Sequence, residues 1–462
     1  MIEPQELYSR LPILAQNLAC SAYGARLIVR RYDAEYRQME IDAIQRECWS
    51  RDAIEKLRWE RLYRTLNRAA QRVPYYRDQW QKLGVSVNGF KAIEDLSNLP
   101  ILTRQEVQRN LDNIIPKDLS RSDVSIAHTS GTTGTGLVFP VNRQCEKEQW
   151  AVWWRYRRRF GLDRKTWYGH FYGKLVVPHK QTNPPFWRIN FPGRQILFSG
   201  YHMREDFLGY YVEELNRRCP PWIQGYPSLL VVLSGFMLDS GRRLSYQPRI
   251  VTAGAETLLE HQKRLIEEAF GAPCRQHYGM AEAVANISEC PEGRLHVDED
   301  FGLIEFLPTG DGRHRIIATG FSNDAFPLIR YDTGDVATLP DKNVTCQCGL
   351  PGRIVKAIDG RIEDIVITAD GRRIGRLDHI LKDFTQVREA QIIQNKKGQI
   401  LVRIVRGERF HSGDKDLLIA ECKKWLGSNM QVSIEFVHEL QRTNRGKLRF
   451  VISSIGQESC RV

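Results

Sequence analysis

The stretch His128-Thr-Ser-Gly-Thr-Thr-Gly-Thr-Gly136 places three glycines, four threonines and a serine within nine residues. Glycine lets backbone N–H groups approach an anion closely, and the hydroxyls add donors, so the segment suits a phosphate cradle. It is not the Walker pattern, because no Lys-Ser or Lys-Thr pair closes it. Further along, Thr252-Ala-Gly-Ala-Glu256 precedes His277-Tyr-Gly-Met-Ala-Glu282. A tyrosine ring beside glycine can stack on a flat heterocycle, and a nearby carboxylate can hold Mg²⁺ against phosphate oxygens. Arg330-Tyr-Asp-Thr-Gly-Asp335 ends in a carboxylate able to accept both hydroxyls of a ribose, and Gly360-Arg-Ile-Glu-Asp364 and Gln441-Arg-Thr-Asn-Arg-Gly-Lys447 supply cations that offset charge on a phosphate in flight. Taken singly, each stretch reads equally as a solvated turn or a packed core side chain.

These stretches need rigid elements to hold them. Arg249–Gly254 reads as a strand running into a loop, Thr257–Phe270 as a helix, and the residues after Gly271-Ala-Pro as a second short strand, an alternation that argues an α/β architecture. Residues 1–98 read as largely helical: Asp33 to Lys82 is rich in Glu, Arg, Gln, Leu and Ala and holds no glycine, with an interruption at Arg72-Val-Pro-Tyr-Tyr-Arg77. After Asp359-Gly-Arg361 the pattern begins again, with strands at Ala390–Ile393, Ile400–Val405 and Gln431–Val437 and a helix at Asp414–Leu426. The expected division is a large domain over 1–360 and a small α+β lid over 361–462.

The chain has 462 residues, 42% of them hydrophobic and 26% charged, which sets aside disordered and fibrous classes. Its 67 Lys and Arg against 55 Asp and Glu give a net charge of +12. That excess is spread in short clusters such as Arg155-Tyr-Arg-Arg-Arg159, with no reading motif, so anionic small molecules are expected and nucleic acid is not. Leu11–Val29 is apolar but carries Gln16, Asn17 and Arg26, so it is expected to pack on the body or rest on a membrane surface and not to span one. The start shows no signal peptide and the ten cysteines show no secreted framework, so the cytoplasm is the expected compartment.

In order and spacing the five motifs from about Leu99 to Phe450 resemble the adenylate-forming superfamily of acyl-CoA synthetases, luciferases and adenylation domains. Arg72-Val-Pro-Tyr-Tyr76, Gly225-Tyr-Pro-Ser228, Pro327-Leu-Ile-Arg-Tyr331, Cys346-Gln-Cys-Gly349 and Ala369 to Asp378 are similar to the phenylacetate-CoA ligase branch and, within it, to CapK-like proteins of polysaccharide gene clusters. The resemblance implies that Thr129, Ser130, Gly131, Thr132, Thr133, Gly134, Thr135 and Gly136 hold the phosphates of ATP and that Glu282 binds Mg²⁺. Ala253, Gly254, Ala255 and Glu256 with Gln276, His277, Tyr278 and Gly279 would frame the adenine. Asp335 would hold the ribose, Arg361 and Arg353 would assist with ribose and phosphate, and Lys447 would bridge the attacking carboxylate and the α-phosphate. Glu363, two residues after Arg361, would be the hinge of a rotating C-terminal domain. One departure is Ala281, where superfamily members often carry Thr or Ser, which removes a hydroxyl contact to phosphate.

The implied reaction activates a carboxylic acid as an acyl-adenylate and passes the acyl group to coenzyme A, a carrier-protein thiol or an amine such as an amino sugar. An adenylyltransferase and a non-catalytic scaffold are the competing readings. Trp153, Trp154, Tyr201, His202 and Tyr226 are candidates for the acid pocket, and Ala369 to Gly375 for a pantetheine channel. Cys290-Pro-Glu-Gly-Arg-Leu-His296 and Cys346-Gln-Cys348 offer three thiols and an imidazole, the ligand set of a closed structural zinc site or a group of ordinary reduced cysteines.

Overall fold

The computed structural model describes residues 4–120, 124–129, 137–341, 344–361, 366–371, 373–374, 377–381, 384, 387–408, 410–443 and 448–455. They form two compact units: residues 1–26, 164–276 and 359–462 make the first, and 27–163 with 277–358 make the second. The chain's last crossing lies between Ile358 and Asp359. From there onward the residues cluster with 164–276.

In the first unit the strands Ile250–Gly254, Trp222–Gly225, Tyr168–Tyr172 and Gln195–Ser199 lie parallel in that order, and Trp187–Asn190 runs antiparallel along the outer edge. Their apolar side chains pack with the helices Glu205–Arg218, Pro227–Asp239 and Glu260–Phe270 around Phe171, Phe198, Tyr211, Leu230 and Val251. Near-continuous apolar runs are what a doubly covered parallel sheet requires. The last of these helices starts three residues later than the composition suggests, because the Gln262 side chain turns back to accept the Leu259 N–H at 3.1 Å. It ends at Gly271, whose φ of +62° is open to glycine at little cost. Gly225 is equally constrained: a β-carbon there would stand 2.8 Å from the carbonyl oxygen of Phe171.

The C-terminal part of this unit is a four-stranded sheet in the order Gln431–Phe436, Gln399–Arg406, Val387–Lys396, Val451–Ser453, covered by the helix Ser412–Leu426. Arg388 on its third strand pairs with Asp239 at 3.0 Å, at the end of the helix Pro227–Asp239. At the other end of the unit's sequence, the helix Ile13–Arg31 lays Asn17 and Ser21 along the outer strand. Asn17 Oδ1 accepts the Ile189 N–H at 2.8 Å, and Ser21 Oγ donates to the Ile189 carbonyl at 3.2 Å. Those contacts satisfy backbone groups that a bare sheet edge would leave open.

The second unit carries the expected helices at Ala34–Gln45, Arg51–Arg72 and Pro74–Lys82. The break between the last two falls where Val73, preceding proline, is held extended (φ −106°, ψ 111°). A meander of Gly302–Pro308, His314–Gly320 and Tyr331–Thr338 and the antiparallel strands Asn286–Glu289, Leu295–Val297 and Ile354–Val355 complete its core with Leu62, Leu66, Phe139 and Phe326. The cluster Arg155 to Arg159 is not an open basic patch. Arg155 binds Asp298 and Asp300, each at 2.7 Å, Arg159 binds Glu47 at 2.6 Å, and Arg158 binds Glu40 at 3.1 Å. Burial alone would raise the Asp300 carboxyl, yet Arg155 and Arg46 hold it well below the usual carboxylate range.

Candidate functional site

The hairpin Val124–His128 with Val138–Asn142 brings the chain to the glycine-rich stretch and takes it away again, with His128 opposite Val138. Thr129 closes its end. Its N–H donates to the Leu137 carbonyl at 2.9 Å, and its hydroxyl accepts from the Leu137 N–H at 2.9 Å and from Arg104 at 3.2 Å. Ser130, Gly131, Thr132, Thr133, Gly134, Thr135 and Gly136 lie outside the described residues, as do Glu363 and Lys447.

In the same unit the strand ending at Gly279 carries His277 and Tyr278. The Tyr278 hydroxyl donates to Asp335 Oδ2 at 2.8 Å, joining two motifs 57 residues apart, while the Asp335 N–H is held by Thr333 Oγ1 at 3.1 Å. Asp335 is thus presented by a strand and oriented by a neighbouring ring. His277 packs against Trp153 and Tyr156, with ring centroids 5.6 and 5.2 Å away. Burial lowers its pKa to about 4, with Asp298 opposing, so the ring is neutral near pH 7. Trp153 is fixed in turn by donating to Asn286 at 3.0 Å. Gly279 sits in this packing with no room for a side chain, since a β-carbon would meet His277 at 3.0 Å and Asn286 at 3.1 Å. The turn after it is tied down where Gln149 donates to the Met280 carbonyl at 2.9 Å, and Glu282 is largely buried there. Arg353 pairs with Glu299 at 2.6 Å and donates to the Ile304 carbonyl at 2.7 Å. Trp154 donates to the Tyr32 hydroxyl at 3.0 Å and is buried beneath Arg157, which stacks 4.7 Å from its ring.

In the first unit Ala253, Gly254, Ala255 and Glu256 leave the carboxyl end of the parallel strand Ile250–Gly254, the end at which α/β sheets hold ligands. Glu256 accepts from the Ser228 N–H at 3.1 Å and from the Leu448 N–H at 2.8 Å. Arg442 donates to Ser228 Oγ at 2.6 Å and pairs with Glu389, and an isolated bridge joins Arg442 to Leu448. Burial raises the Glu256 carboxyl above its ordinary range, against the opposing charge of Arg442. Gln276 is half-buried on the strand Cys274–Gly279, and Arg361 is half-buried at the end of Ala357–Arg361. Tyr201, His202 and Tyr226 sit among aromatic neighbours. Tyr201 donates to the Gly173 carbonyl at 3.1 Å with the His179 ring 4.8 Å away, His202 Nδ1 meets Ser199 Oγ at 2.7 Å, and Tyr226 stands edge-on to Tyr172 at 4.5 Å. Burial lowers the His202 pKa, with His179 adding to the effect.

Cys290, His296, Cys346 and Cys348 come together in the second unit, their ligand atoms all within 4.8 Å of one another. Cys290 follows the strand Asn286–Glu289 and His296 stands on its antiparallel partner Leu295–Val297. Cys290 Sγ lies 3.7 Å from Cys346 Sγ, and Cys348 Sγ lies 3.3 Å from His296 Nε2. With Zn–S bonds of ~2.3 Å, the edge of a tetrahedron is about 3.8 Å, so the four side chains match the dimensions of a Cys₃His zinc site. His296 Nδ1 points to the Gly352 carbonyl at 3.3 Å, which leaves Nε2 toward the thiols. None of the three cysteines is in a disulfide.

Three features of the site carry no simple sequence signal. Ser228 and Glu389 complete the contacts around Arg442, and Trp153 and Tyr156 support His277. Ala255, Ala283 and Arg330 hold left-handed backbone (φ +67°, +55° and +49°) although none is glycine, and each falls in or beside one of the motifs. The Arg330 backbone is held on both sides: its N–H donates to Thr319 Oγ1 at 2.9 Å and its carbonyl accepts from the Leu102 N–H at 2.9 Å.

Among known proteins, residues 366–454 match the model of the CapK C-terminal domain. Protein CapK of Staphylococcus aureus is 28% identical over 97% of this chain and 99% of its own length. A phenylacetate-coenzyme A ligase of Thermus thermophilus is 26% identical over 70% of this chain and 73% of its own. A crystal structure of 2-hydroxyisobutyryl-CoA ligase in the postadenylation state, in complex with R3-HIB-AMP, superposes with a TM-score of 0.70 at 18% identity, covering 89% of this chain and 92% of that one, a likeness of fold.

Proposed function

We propose that the chain is an adenylate-forming enzyme of the phenylacetate-CoA ligase-like and CapK-like branch, which activates a carboxylic acid with ATP and then transfers the acyl group to a thiol; its similarity to these proteins supports the reading. A carboxylate is a poor electrophile because its leaving group would be oxide. Attack of one carboxylate oxygen on the α-phosphorus of ATP expels pyrophosphate and installs AMP as the leaving group. The acceptor thiol then attacks the acyl carbon, AMP departs, and a thioester forms. Both first-step reactants are anions, so positioning, able to contribute ~7 to 11 kcal/mol, and cationic groups must act together.

The observation that supports this reading best is the hydrogen bond from Tyr278 to Asp335, which sets the carboxylate that would hold the ribose beside a ring suited to adenine. Glu282 would hold Mg²⁺, which when bound offsets phosphate charge. His277, neutral and packed against Trp153 and Tyr156, would keep the adenine platform rigid, and the residues 130–136 and Arg361 would take the phosphates. Glu256, through the N–H of Leu448, would anchor the chain directly after Lys447, the residue that would neutralise the reacting carboxylate and α-phosphate. A zinc ion held by Cys290, His296, Cys346 and Cys348 would be structural, since four protein ligands leave no open position.

The thiol would belong to coenzyme A or a carrier protein. The test is acid-dependent exchange of pyrophosphate into ATP across a library of acids, followed by product mass with each acceptor. Lys447→Ala should abolish exchange yet spare transfer from a supplied acyl-adenylate. Equal loss of both steps would refute the division of labour, and no exchange with any acid would refute the activity.

A further inference from the structure

The helix Ile13–Arg31 is amphipathic in the inverted sense. Its polar side chains face the protein: Gln16 is buried, accepting from Arg188 at 2.6 Å and donating to the Leu11 carbonyl at 3.0 Å, while Asn17 and Ser21 serve the edge strand. The opposite side is apolar. At 100° per residue, Leu14, Ala15, Leu18, Ala22 and Ala25 fall on one stripe, and Leu14 and Leu18 are 78% and 71% exposed. Phe191, 62% exposed, extends this surface, because its N–H is held by Ser21 Oγ at 3.1 Å, beside the stripe. Scattered exposed leucines need no explanation, but a contiguous apolar face on a helix whose polar residues are turned inward does.

Arginines flank this face, two of which, Arg30 and Arg31, are paired with Glu146. From Leu7 to Arg31 the chain contains four arginines and no acidic residue. Arg10 and Arg26 are exposed, and the Arg194 guanidinium lies 5.8 Å from the Phe191 ring. No described helix is long and apolar enough to cross a membrane. An apolar stripe flanked by arginines is the pattern of a helix that lies in the plane of an anionic membrane surface.

We propose that this face docks on an anionic lipid bilayer, with Leu14, Leu18 and Phe191 entering the boundary between headgroups and acyl chains and Arg10, Arg26 and Arg194 meeting lipid phosphates. None of these residues belongs to the site proposed above, so the inference stands apart from that reading. Purified full-length protein is mixed with vesicles of phosphatidylcholine alone or with 30% phosphatidylglycerol, at about 0.1 M and 0.5 M salt, and bound protein is measured by flotation while solution mass is measured by sedimentation. The expected result is binding to anionic vesicles that weakens at high salt. It should fall at least about tenfold in Leu14→Asp/Leu18→Asp and in Arg10→Glu/Arg26→Glu, both retaining wild-type circular dichroism and pyrophosphate exchange. Leu14→Ser/Leu18→Ser supplies the same test should the aspartates disturb folding. No binding to anionic vesicles, or equal binding by the variants, overturns the proposal. So does a wild-type dimer that the leucine variants convert to monomer without any lipid binding, which would make the face an interface between two copies.

Discussion

Replacing Tyr278 with phenylalanine removes one hydroxyl and keeps the ring, so it separates orientation of Asp335 from stacking. The bond removed is 2.8 Å long and ends on a carboxylate. A hydrogen bond to a charged group contributes ~1.5–3 kcal/mol, or roughly ten- to a hundredfold in an equilibrium constant. Asp335 keeps its strand position and its Thr333 contact, so the lower end applies: the KM for ATP should rise about tenfold. The turnover number should change less than about threefold, because ribose contacts are made alike in ground and transition states. The assay is pyrophosphate exchange with the best acid, run with ATP, 2′-deoxy-ATP and 3′-deoxy-ATP. Wild-type enzyme should discriminate against the deoxynucleotides, and both Tyr278→Phe and Asp335→Asn should blunt that discrimination. If the ATP to deoxy-ATP ratios stay within about twofold of wild type in both variants, while thermal stability is unchanged, the assignment of this pair to the ribose is wrong.

Elemental analysis of protein purified without chelator should find about one zinc per chain, falling well below one in Cys348→Ser together with a drop of several degrees in melting temperature. A metal-free wild type of unchanged stability would dismiss the site. Arg155→Ala should destabilise the fold by up to ~3–5 kcal/mol in chemical denaturation, since it takes the shared cation from buried Asp298 and Asp300 and leaves them only Arg159 and Arg46 among the described residues. The same pair sets a pH dependence. Because the folded-state pKa of Asp300 is depressed, its contribution is complete above the ordinary aspartate value of ~4 and is lost as pH falls toward the lowered one. Wild-type stability should therefore fall more steeply than that of Arg155→Ala below about pH 4.

What the sequence carried and what it did not divide along physical lines. The strand Ile250–Gly254 and the helix after it were legible because apolar runs and the Gly271 stop are local properties, and the break at Val73 followed from proline chemistry. The motifs around Tyr278 and Asp335 were legible as types of side chain. Their contact was not, because it is made between strands 57 residues apart. The basic cluster from Arg155 to Arg159 reads in the sequence as part of a charge excess suited to anionic small molecules, whereas Arg155, Arg158 and Arg159 are met by Glu40, Glu47, Asp298 and Asp300, all distant in sequence. Similarly, Leu11–Val29 announced a helix, but which of its faces would turn inward depended on an edge strand that lies far downstream.

That separation has a consequence in time. Asn17 caps a strand residue 172 positions later, so the helix leaves the ribosome long before the edge that holds its polar side exists. At roughly 5–20 residues per second, the interval is on the order of 10 to 35 seconds. Throughout it both faces of the helix are unpartnered, and the apolar one offers nascent-chain chaperones, or a nearby bilayer, a target before the remaining domains have been synthesised.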